Sequence, residues 1–340
     1  MKATPLALTP ASQNNIKVTL YDRETAPRDR NWGVTISWAH PLTQKLLPED
    51  LYATLSQCQP DPSLDTKAAN KECVLIRDGS TGETMVEPHF PGVRRMNIQK
   101  TKTHWRKGLD VQYGKKCIGI SLLPNNTGVI ANFEDGTTSE RADVVIGCDG
   151  GNSYIRRFLL GEEIAQQEVL PYTFMNFPFT LSADQASWLD GVMNPNVDVA
   201  THPKNMYLGI FLLDKPDLQK PESWVYYLLV TWPREAQDED EEDSPAASRR
   251  RLERLRNKME GWADPFKSVV EWVPEDVGIK PDVLRIWHPK VWDNHGGRVT
   301  LSGDAAHRYV VYTLPFTSSS FLQRHHPSLA IAQRRTNGTA

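Results

Sequence analysis

The first pattern along the chain is an alternation of apolar and polar residues. It runs from Ile16 to Leu20 and stops at Asp22, which predicts a short strand. Residues 143–157 read DVVIGCDGGNSYIRR, an apolar strand that runs into glycines, an acid and a helical pattern. Residues 297–307, GRVTLSGDAAH, repeat the order of apolar strand, small residue, Gly and Asp. Glycines at the carboxyl end of a strand permit close backbone approach, and ligands of open α/β sheets bind at that edge.

Smaller elements are predicted between residues 31 and 150. Leucines at helical spacing on both sides of Pro48 predict one or two short helices. The dipeptide Asp78-Gly79 predicts the turn of a hairpin, because both residues tolerate positive φ. Residues 108–150 contain two further turn sequences, so we expect a β-meander there.

Beyond residue 166 the chain carries long, aromatic-rich strand patterns. VLPYTFMNFPFTL, NMYLGIFLLD and SWVYYLLVTWP predict a broad antiparallel sheet. Their alternating aromatic residues divide between a pocket and the core, and the sequence leaves open which residue faces which side. These residues are Phe174, Phe177, Tyr207, Phe211, Trp224 and Tyr226.

A charged segment follows these strands. The six acidic residues Asp238–Asp243 predict a solvated loop. The basic helix after them repeats apolar residues at helical spacing, which predicts a stripe that packs into the core. The stripe consists of Leu252, Leu255, Met259 and Trp262.

These patterns predict an α/β chain in which a Rossmann-like domain is interrupted by a β-sheet domain. The predicted parts are residues 1–165 for the first part of the α/β domain, 166–284 for the inserted antiparallel sheet, 285–310 for the second part and 311–340 for an atypical tail.

Composition excludes several classes of protein. A net charge of −3 over 340 residues gives no basic face for nucleic acid. No apolar run reaches the roughly 18 residues of a membrane span, and the amino terminus lacks the apolar core of a secretory signal. The four cysteines are scattered, so we expect free thiols, a cytoplasmic location and no metal site. No G-x-S-x-G, Walker loop or H-E-x-x-H motif points to hydrolysis.

The two strand-to-Gly-Asp segments together resemble the FAD-dependent monooxygenases of the aromatic-hydroxylase type, in particular fungal members. The first segment matches the family motif D-x-x-x-G-x-D-G-x-x-S-x-x-R at Asp143, Gly147, Asp149, Gly150, Ser153 and Arg156. The second matches G-R-V-x-L-x-G-D-A-A-H from Gly297 to His307. The resemblance covers residues 16–307. It implies a three-layer FAD-binding domain with an inserted β-sheet substrate domain.

The resemblance also implies a reaction. Reduced nicotinamide, NAD(P)H, delivers hydride to FAD, and oxygen adds to form a flavin hydroperoxide. One oxygen atom is then transferred to an aromatic or polyketide-like small molecule. Since the cofactor carries the chemistry, we expect no catalytic side chain, and the only partners are that substrate and oxygen.

Site residues follow from the same resemblance. Asp304, after Gly303, is expected to contact the ribitol of FAD. Asp149, with Gly150, is expected to support FAD and the approach of the nicotinamide. Arg156 holds the loop of its motif or a phosphate, and Ser153 is as much a helix N-cap as a cofactor contact.

Two further residues are expected to bind FAD. Asp22 lies where the family has an acid that binds the adenosine ribose, and the alternative is a plain strand-end acid. Arg95 lies where many relatives have an arginine that contacts the flavin. A second arginine is common nearby in relatives, and this chain has Ile98 there.

The chain departs from the family at both ends. Relatives begin with a strand, a G-x-G-x-x-G turn and a helix, a unit of about 30 residues, whereas 15 residues without glycine precede Ile16. Relatives continue after G-D-A-A-H with a proline and a glycine-rich turn that residues 308–340 lack. We therefore expect a truncated amino terminus and an aberrant carboxyl terminus. The alternative function is a non-catalytic remnant that binds a ligand or partner without turnover.

Overall fold

The computed structural model describes residues 17–25, 31–238 and 242–308, and within them the chain is a mixed α/β protein. These residues contain fifteen strands: β1 (Thr19–Asp22), β2 (Gly33–Ile36), β3 (Leu75–Asp78), β4 (Thr84–Val86), β5 (Arg94–Asn97), β6 (Asp110–Tyr113), β7 (Cys117–Leu122), β8 (Val129–Phe133), β9 (Val145–Gly147), β10 (Glu168–Thr180), β11 (Asp198–His202), β12 (Met206–Asp214), β13 (Val225–Pro233), β14 (Asp282–Ile286) and β15 (Val299–Leu301). Eight α-helices accompany them: α1 (His40–Leu46), α2 (Glu49–Ala53), α3 (Ile98–Trp105), α4 (Tyr154–Leu160), α5 (Glu162–Ala165), α6 (Ala183–Val192), α7 (Pro245–Asn257) and α8 (Phe266–Trp272). The predicted tail at 311–340 lies outside the described residues.

The largest element is a seven-stranded sheet in the order β14-β10-β13-β12-β11-β3-β4. Neighbouring strands are antiparallel except β11 and β3, which run parallel. The three long aromatic strands predicted from the sequence are β10, β12 and β13, at the centre of this sheet. The hairpin predicted at Asp78-Gly79 joins β3 to β4 at one edge. The sheet therefore recruits strands from both sides of β9.

Alternation along the long strands separates the two faces of the sheet. Phe177 and Phe179 are 1% and 4% exposed and share a core cluster with residues of α7 and α8. The predicted apolar stripe of the basic helix is confirmed, because all its members belong to that cluster: Leu252, Leu255, Met259 and Trp262. One face of the sheet is thus covered by helices.

The opposite face carries a second, smaller cluster that includes Tyr207, Phe211 and Tyr227, and we call it the aromatic face. The structure thereby decides the orientation that the sequence left open. Trp224 and Tyr226, like Phe177, lie under the helices. Phe174 has the opposite parity to Phe177 on β10, so it lies on the side of the aromatic face.

Two pairs of parallel strands form outside the large sheet. β1 pairs with β6, with Asp22 opposite Tyr113, and β9 pairs with β15, with Gly147 opposite Leu301. The β-meander predicted for residues 108–150 is confirmed only between residues 117 and 142, where β7 pairs antiparallel with β8 and isolated antiparallel bridges join β8 to Thr138 and Ala142. It is wrong for β6 and β9, which pair parallel with β1 and β15. β9 is instead held by apolar packing against two elements. One is α4, which follows β9 directly, and the other is β15, which lies much later in the chain.

The short helices predicted around Pro48 are confirmed as α1 and α2. Between the first strand and α1 lies the four-residue strand β2, which the sequence pattern missed. β2 pairs antiparallel with β5, and this pair contacts the large sheet: Asn97 Nδ2 donates to the Leu213 carbonyl of β12 at 3.0 Å.

The acidic segment after β13 begins with a buried carboxylate. The Asp238 side chain has an exposed fraction of 0%. It accepts hydrogen bonds from Thr173 Oγ1 at 2.7 Å, Trp232 Nε1 at 2.9 Å and the Glu235 amide at 2.9 Å, and it contacts Arg254 Nη1 at 3.2 Å. The prediction of a solvated loop is wrong for Asp238, because these donors replace water. The next three acidic residues lie outside the described residues.

Asp238 gives a stability prediction with a pH dependence. Burial alone would raise its pKa, but hydrogen bonds from Thr173, the Glu235 amide, Trp232 and Arg254 lower the pKa below its usual value. Such a carboxyl stabilises the fold above its unfolded pKa of about 3.9, and this stabilisation is lost as the pH falls through the folded value.

We therefore expect Asp238→Asn to lower the free energy of unfolding by about 1–3 kcal/mol at neutral pH. The variant should also lose less stability than wild type on acidification below about pH 4. Urea denaturation at neutral pH and below about pH 4 measures the free energy of unfolding of both proteins. Glu253→Gln, on the exposed side of α7, is the control. Equal stability of Asp238→Asn and wild type at neutral pH would contradict the prediction.

Candidate functional site

The first turn of the site joins β9 to α4, and two of its glycines have distinct roles. A Cβ added at Gly147 would lie 2.6 Å from Ile155 Cβ and 2.9 Å from Leu301 Cδ2. Only glycine therefore lets α4 pack against the ends of β9 and β15. Gly150 has φ +84°, and an added Cβ there would meet no atom within 4 Å. The turn is thus packed against protein at Gly147 and borders open space at Gly150.

Asp149 is engaged with the start of α4. Its carboxylate accepts hydrogen bonds from Ser153 Oγ at 2.5 Å, the Tyr154 amide at 2.6 Å and the Ile155 amide at 3.2 Å. Ser153 Oγ in turn accepts from the Arg156 amide at 2.9 Å, so Ser153 is the helix N-cap. The acid and the serine of the first motif therefore fix the path of the chain from strand to helix.

The second turn lies beside the first. Ser302 follows β15, and its amide donates to the Gly147 carbonyl at 2.9 Å. Gly303 has φ +67° and starts a short 3-10 helix over Gly303–Ala305. Asp304 lies on this helix with its side chain exposed. Because β9 and β15 are parallel neighbours, both Gly-Asp turns occupy the same edge of the pair.

Arg156 connects the two turns. Its side chain is almost completely buried, at 1% exposure. Nη1 donates to the carbonyls of Asp304 at 3.3 Å and Ala305 at 3.1 Å, and Nη2 donates to the Gly151 carbonyl. Of the two roles that the sequence left open for Arg156, the hydrogen bonds agree with the first, because its donors hold the loops.

Two further contacts complete the environment of Arg156. Nε donates to the Ala165 carbonyl at 3.1 Å at the end of α5, and the guanidinium lies 4.7 Å from the ring centre of Trp287. Burial lowers the pKa of Arg156, whereas the negative charge of Asp149 raises it. The guanidinium remains charged, since arginine is effectively always protonated in proteins.

Asp22 lies at the end of β1, away from the turns. Its Oδ2 contacts Arg106 Nη2 at 2.6 Å, and its Oδ1 accepts the Glu24 amide at 3.2 Å. No hydrogen bond or ion pair within the described part of the chain links Asp22 to either Gly-Asp turn.

Arg95 lies against the aromatic face. It is 6% exposed, its guanidinium lies 4.4 Å from the ring centre of Phe211, and Nη1 donates to Thr35 Oγ1 at 3.3 Å. Ile98 begins α3, is fully buried, and has no polar side-chain group for a ligand. The structure therefore brings together Asp149, Gly150, Arg156, Gly303 and Asp304, whereas the contacts described for Asp22 and Arg95 are to other elements.

Sequence reasoning missed three residues that shape these sites. Trp287 covers Arg156 and donates its Nε1 to the Ile164 carbonyl at 2.9 Å. Arg308 lies over the first turn, where a Cβ at Gly151 would meet its Nη1 at 2.5 Å. Arg106 holds Asp22. Only Arg308, adjacent to the second motif, had a sequence signal that could have found it.

Metal and membrane features are absent from the described ranges. In residues 17–25, 31–238 and 242–308, no group of three His, Cys, Asp or Glu side chains is arranged to hold a metal ion. None of the helices in these ranges is long and apolar enough to cross a membrane.

Comparisons with known proteins agree with this geometry. The model of the FAD binding domain family matches residues 102–313, more than half of the chain. The FAD-dependent monooxygenase phnB of Penicillium herquei is 25% identical over 296 residues, which cover 86% of this chain and 70% of phnB. The FAD-dependent monooxygenase dbaB of Emericella nidulans is 28% identical over 316 residues, covering 87% of this chain and 76% of dbaB.

Solved structures show the same fold. A putative FAD-containing monooxygenase from Photorhabdus luminescens has a TM-score of 0.62 and 18% identity, covering 92% of this chain and 80% of its own. The 2,6-dihydroxypyridine-3-hydroxylase from Arthrobacter nicotinovorans has a TM-score of 0.61 and 19% identity, covering 89% and 74%. The predicted fold class is confirmed.

Fold and paired turns together define an FAD-dependent oxidoreductase of the α/β class. The chain belongs to the FAD binding domain family, and it is a monooxygenase-like member similar to fungal FAD-dependent monooxygenases. The predicted resemblance and the FAD cofactor are thereby confirmed.

The residues at the turns fit FAD. The space beside Gly150 is free of protein atoms that an added Cβ would meet, and the exposed Asp304 carboxylate lies on the neighbouring turn. Carboxylate oxygens accept hydrogen bonds from sugar hydroxyls, and a backbone without side chains admits a pyrophosphate. This edge can therefore accept the polyol and phosphate part of the cofactor.

The clamp formed by Arg156 gives a stability prediction. We expect Arg156→Met to lower the free energy of unfolding by about 3 kcal/mol or more, because the carbonyls it satisfies would be left buried without a donor. The neighbouring, more exposed Arg157→Met is the control and should change stability by about 0.5 kcal/mol or less. Urea denaturation of both variants measures the difference, and equal effects would contradict a clamping role.

Proposed function

We propose that this chain uses NAD(P)H and molecular oxygen to insert one oxygen atom into an aromatic or polyketide-like small molecule. The second oxygen atom leaves as water, and the reduced nicotinamide is oxidised. The single observation that carries the proposal is the juxtaposition of the two Gly-Asp turns under Arg156. Similarity to relatives named as FAD-dependent monooxygenases and to a hydroxylase of a dihydroxypyridine supports the aromatic substrate class.

The chain's own residues hold and orient the cofactor in this proposal. When bound, FAD supplies the redox chemistry by taking electrons from NAD(P)H and passing them to oxygen. Asp304 accepts hydrogen bonds from the ribitol, and Gly150 leaves room for the cofactor beside Asp149. Asp22 binds the adenosine ribose, and Arg95 orients the flavin from the side of the aromatic face.

The aromatic face forms the substrate wall in this proposal. Tyr207, Phe211 and Tyr227 are each at most 8% exposed, so their packed rings would form the dry base of the substrate site. A polar chain interrupts them: Tyr227 Oη donates to Asn176 Oδ1, and Asn176 Nδ2 donates to Asp282 Oδ2 at 3.0 Å. In this proposal the face therefore supplies an apolar base and a fixed polar position for a hydroxylated ring.

The proposal includes the division of the chain and its location. Residues 1–165 and 285–310 hold FAD, residues 166–284 form the body of the substrate domain, and β3 and β4 add to its sheet. A cytoplasmic location agrees with four cysteines that form no disulfide.

Flavin binding tests the proposed function directly. Wild type should retain oxidised-flavin absorbance after incubation with FAD and desalting, and it should then oxidise NAD(P)H in the presence of oxygen and an aromatic substrate. Asp304→Ala should weaken FAD binding about 10-fold or more, since hydrogen bonds to a charged group contribute about 1.5–3 kcal/mol. The control is Asp293→Ala in the exposed loop before β15. A folded wild type that binds no flavin would instead support the ligand-binding remnant.

Thiol labelling tests where FAD binds. Burial raises the pKa of Cys58 to about 11 and also raises the pKa values of Cys73 and Cys117. Cys148 is partly exposed in the first turn, between Gly147 and Asp149. At about pH 8 an alkylating reagent should therefore modify Cys148 first, because the thiolate reacts, and FAD should slow that reaction. Peptide mass spectrometry measures the rates. An equal rate with and without FAD would contradict binding at this turn.

A further inference from the structure

Arg106 bridges the ends of two parallel strands. It follows α3 directly, and it reaches Asp22 at the end of β1 and Tyr113 at the end of β6, which are opposite each other in the strand register. Nη2 lies 2.6 Å from Asp22 Oδ2, and Nη1 donates to Tyr113 Oη at 2.9 Å. The guanidinium also lies 5.5 Å from the centre of the Tyr113 ring. The arginine is therefore held by one strand while it fixes the acid of the other.

The Asp22 carboxylate keeps acceptor capacity after these contacts. A carboxylate offers about four lone-pair sites. Within the described residues, one site of Asp22 accepts the Glu24 amide and another accepts Arg106. The Asp22 side chain is 26% exposed, so its remaining sites are accessible to a ligand. A carboxylate of fixed orientation with two open acceptor sites suits the two neighbouring hydroxyls of a ribose.

Arg106 also has an unused donor. Its Nε is buried and has no hydrogen-bond partner among the described residues. A buried donor without a partner costs about 1–3 kcal/mol, so a ligand oxygen that reached it would recover part of that energy. Both the acid and the arginine therefore have unsatisfied capacity at the same strand ends.

We propose that Arg106 is a positioning residue for the adenosine half of FAD, acting by fixing the Asp22 carboxylate, with Tyr113 fixing Arg106. The inference rests on the proposed function, since it assumes that Asp22 binds the ribose. Pre-ordering matters because an unrestrained side chain loses conformational freedom when it binds a ligand. The Arg106 guanidinium also balances the negative charge of Asp22 before the cofactor arrives.

FAD and FMN together separate positioning from general stability, because FMN contains the flavin and ribityl phosphate but lacks the adenosine. Arg106→Met should weaken FAD binding about 10-fold while changing FMN binding less than about 2-fold. Arg106→Lys keeps the charge but loses the planar fork, so it should give an intermediate loss for FAD. Flavin fluorescence quenching measures both dissociation constants.

Two further variants complete the experiment. Arg141→Met removes another arginine that contacts an aspartate, Asp143 at 3.1 Å, and it should leave both flavins unaffected. Tyr113→Phe keeps the ring but removes the hydroxyl that holds Arg106, so it should reproduce a smaller, FAD-selective loss. If Arg106→Met does not fold, as judged by thermal unfolding of the flavin-free protein, Tyr113→Phe and Arg106→Lys carry the test.

The outcomes separate the two proposals. A selective loss of FAD binding in the Arg106 and Tyr113 variants supports the positioning role. If wild type binds FAD and the variants lose FAD and FMN equally, or lose neither, the positioning role is wrong and the proposed function stands. If folded wild type binds neither flavin, the proposed function fails and the inference fails with it.

Discussion

The buried Arg156 guanidinium is the interaction on which the site depends. It gives hydrogen bonds to backbone carbonyls of both Gly-Asp turns and of the end of α5, groups that would otherwise be buried without donors. A buried charge needs an opposite charge nearby, and Asp149 supplies it while also capping α4. The acid and the arginine of the first motif are therefore both explained by the architecture of the turn. The outer surface of the turns, at Gly150 and Asp304, takes no part in this support.

Local patterns predicted much of this architecture. Strands β10, β12 and β13 were predictable because each is a long, aromatic-rich apolar segment, and the helix stripe around Leu252 was predictable from its spacing. The prediction of a β-meander failed at β6 and β9 for a physical reason. A strand's own residues do not specify its partner, and β9 pairs with a strand from beyond the large sheet. The prediction that Asp238 is solvated failed for a similar reason, because its hydrogen-bond donors come from three separate elements.

The site was predictable in part. The glycines of the two Gly-Asp turns are recognisable in the sequence, because glycine suits the close approach at Gly147 and the positive φ at Gly150 and Gly303. The residues that support these turns are not recognisable in the sequence. Trp287 and Arg106 look like ordinary residues in the sequence, and their importance comes from contacts with segments far away in the chain. Asp22 and Arg95 lie on β1 and β5, two elements other than the turns.

The recruitment of β3 and β4 into the large sheet has a consequence for how the chain folds. β3 pairs with β11 and β9 pairs with β15, both of which come much later in the chain. The two pairings are therefore interleaved along the sequence. The contact between Arg156 and Asp304 joins residues 148 positions apart. Pairings of such long range carry a large entropic cost of loop closure and form slowly. Neither the sheet nor the paired turns can be excised as a contiguous segment, so we expect them to assemble together in one late, cooperative step.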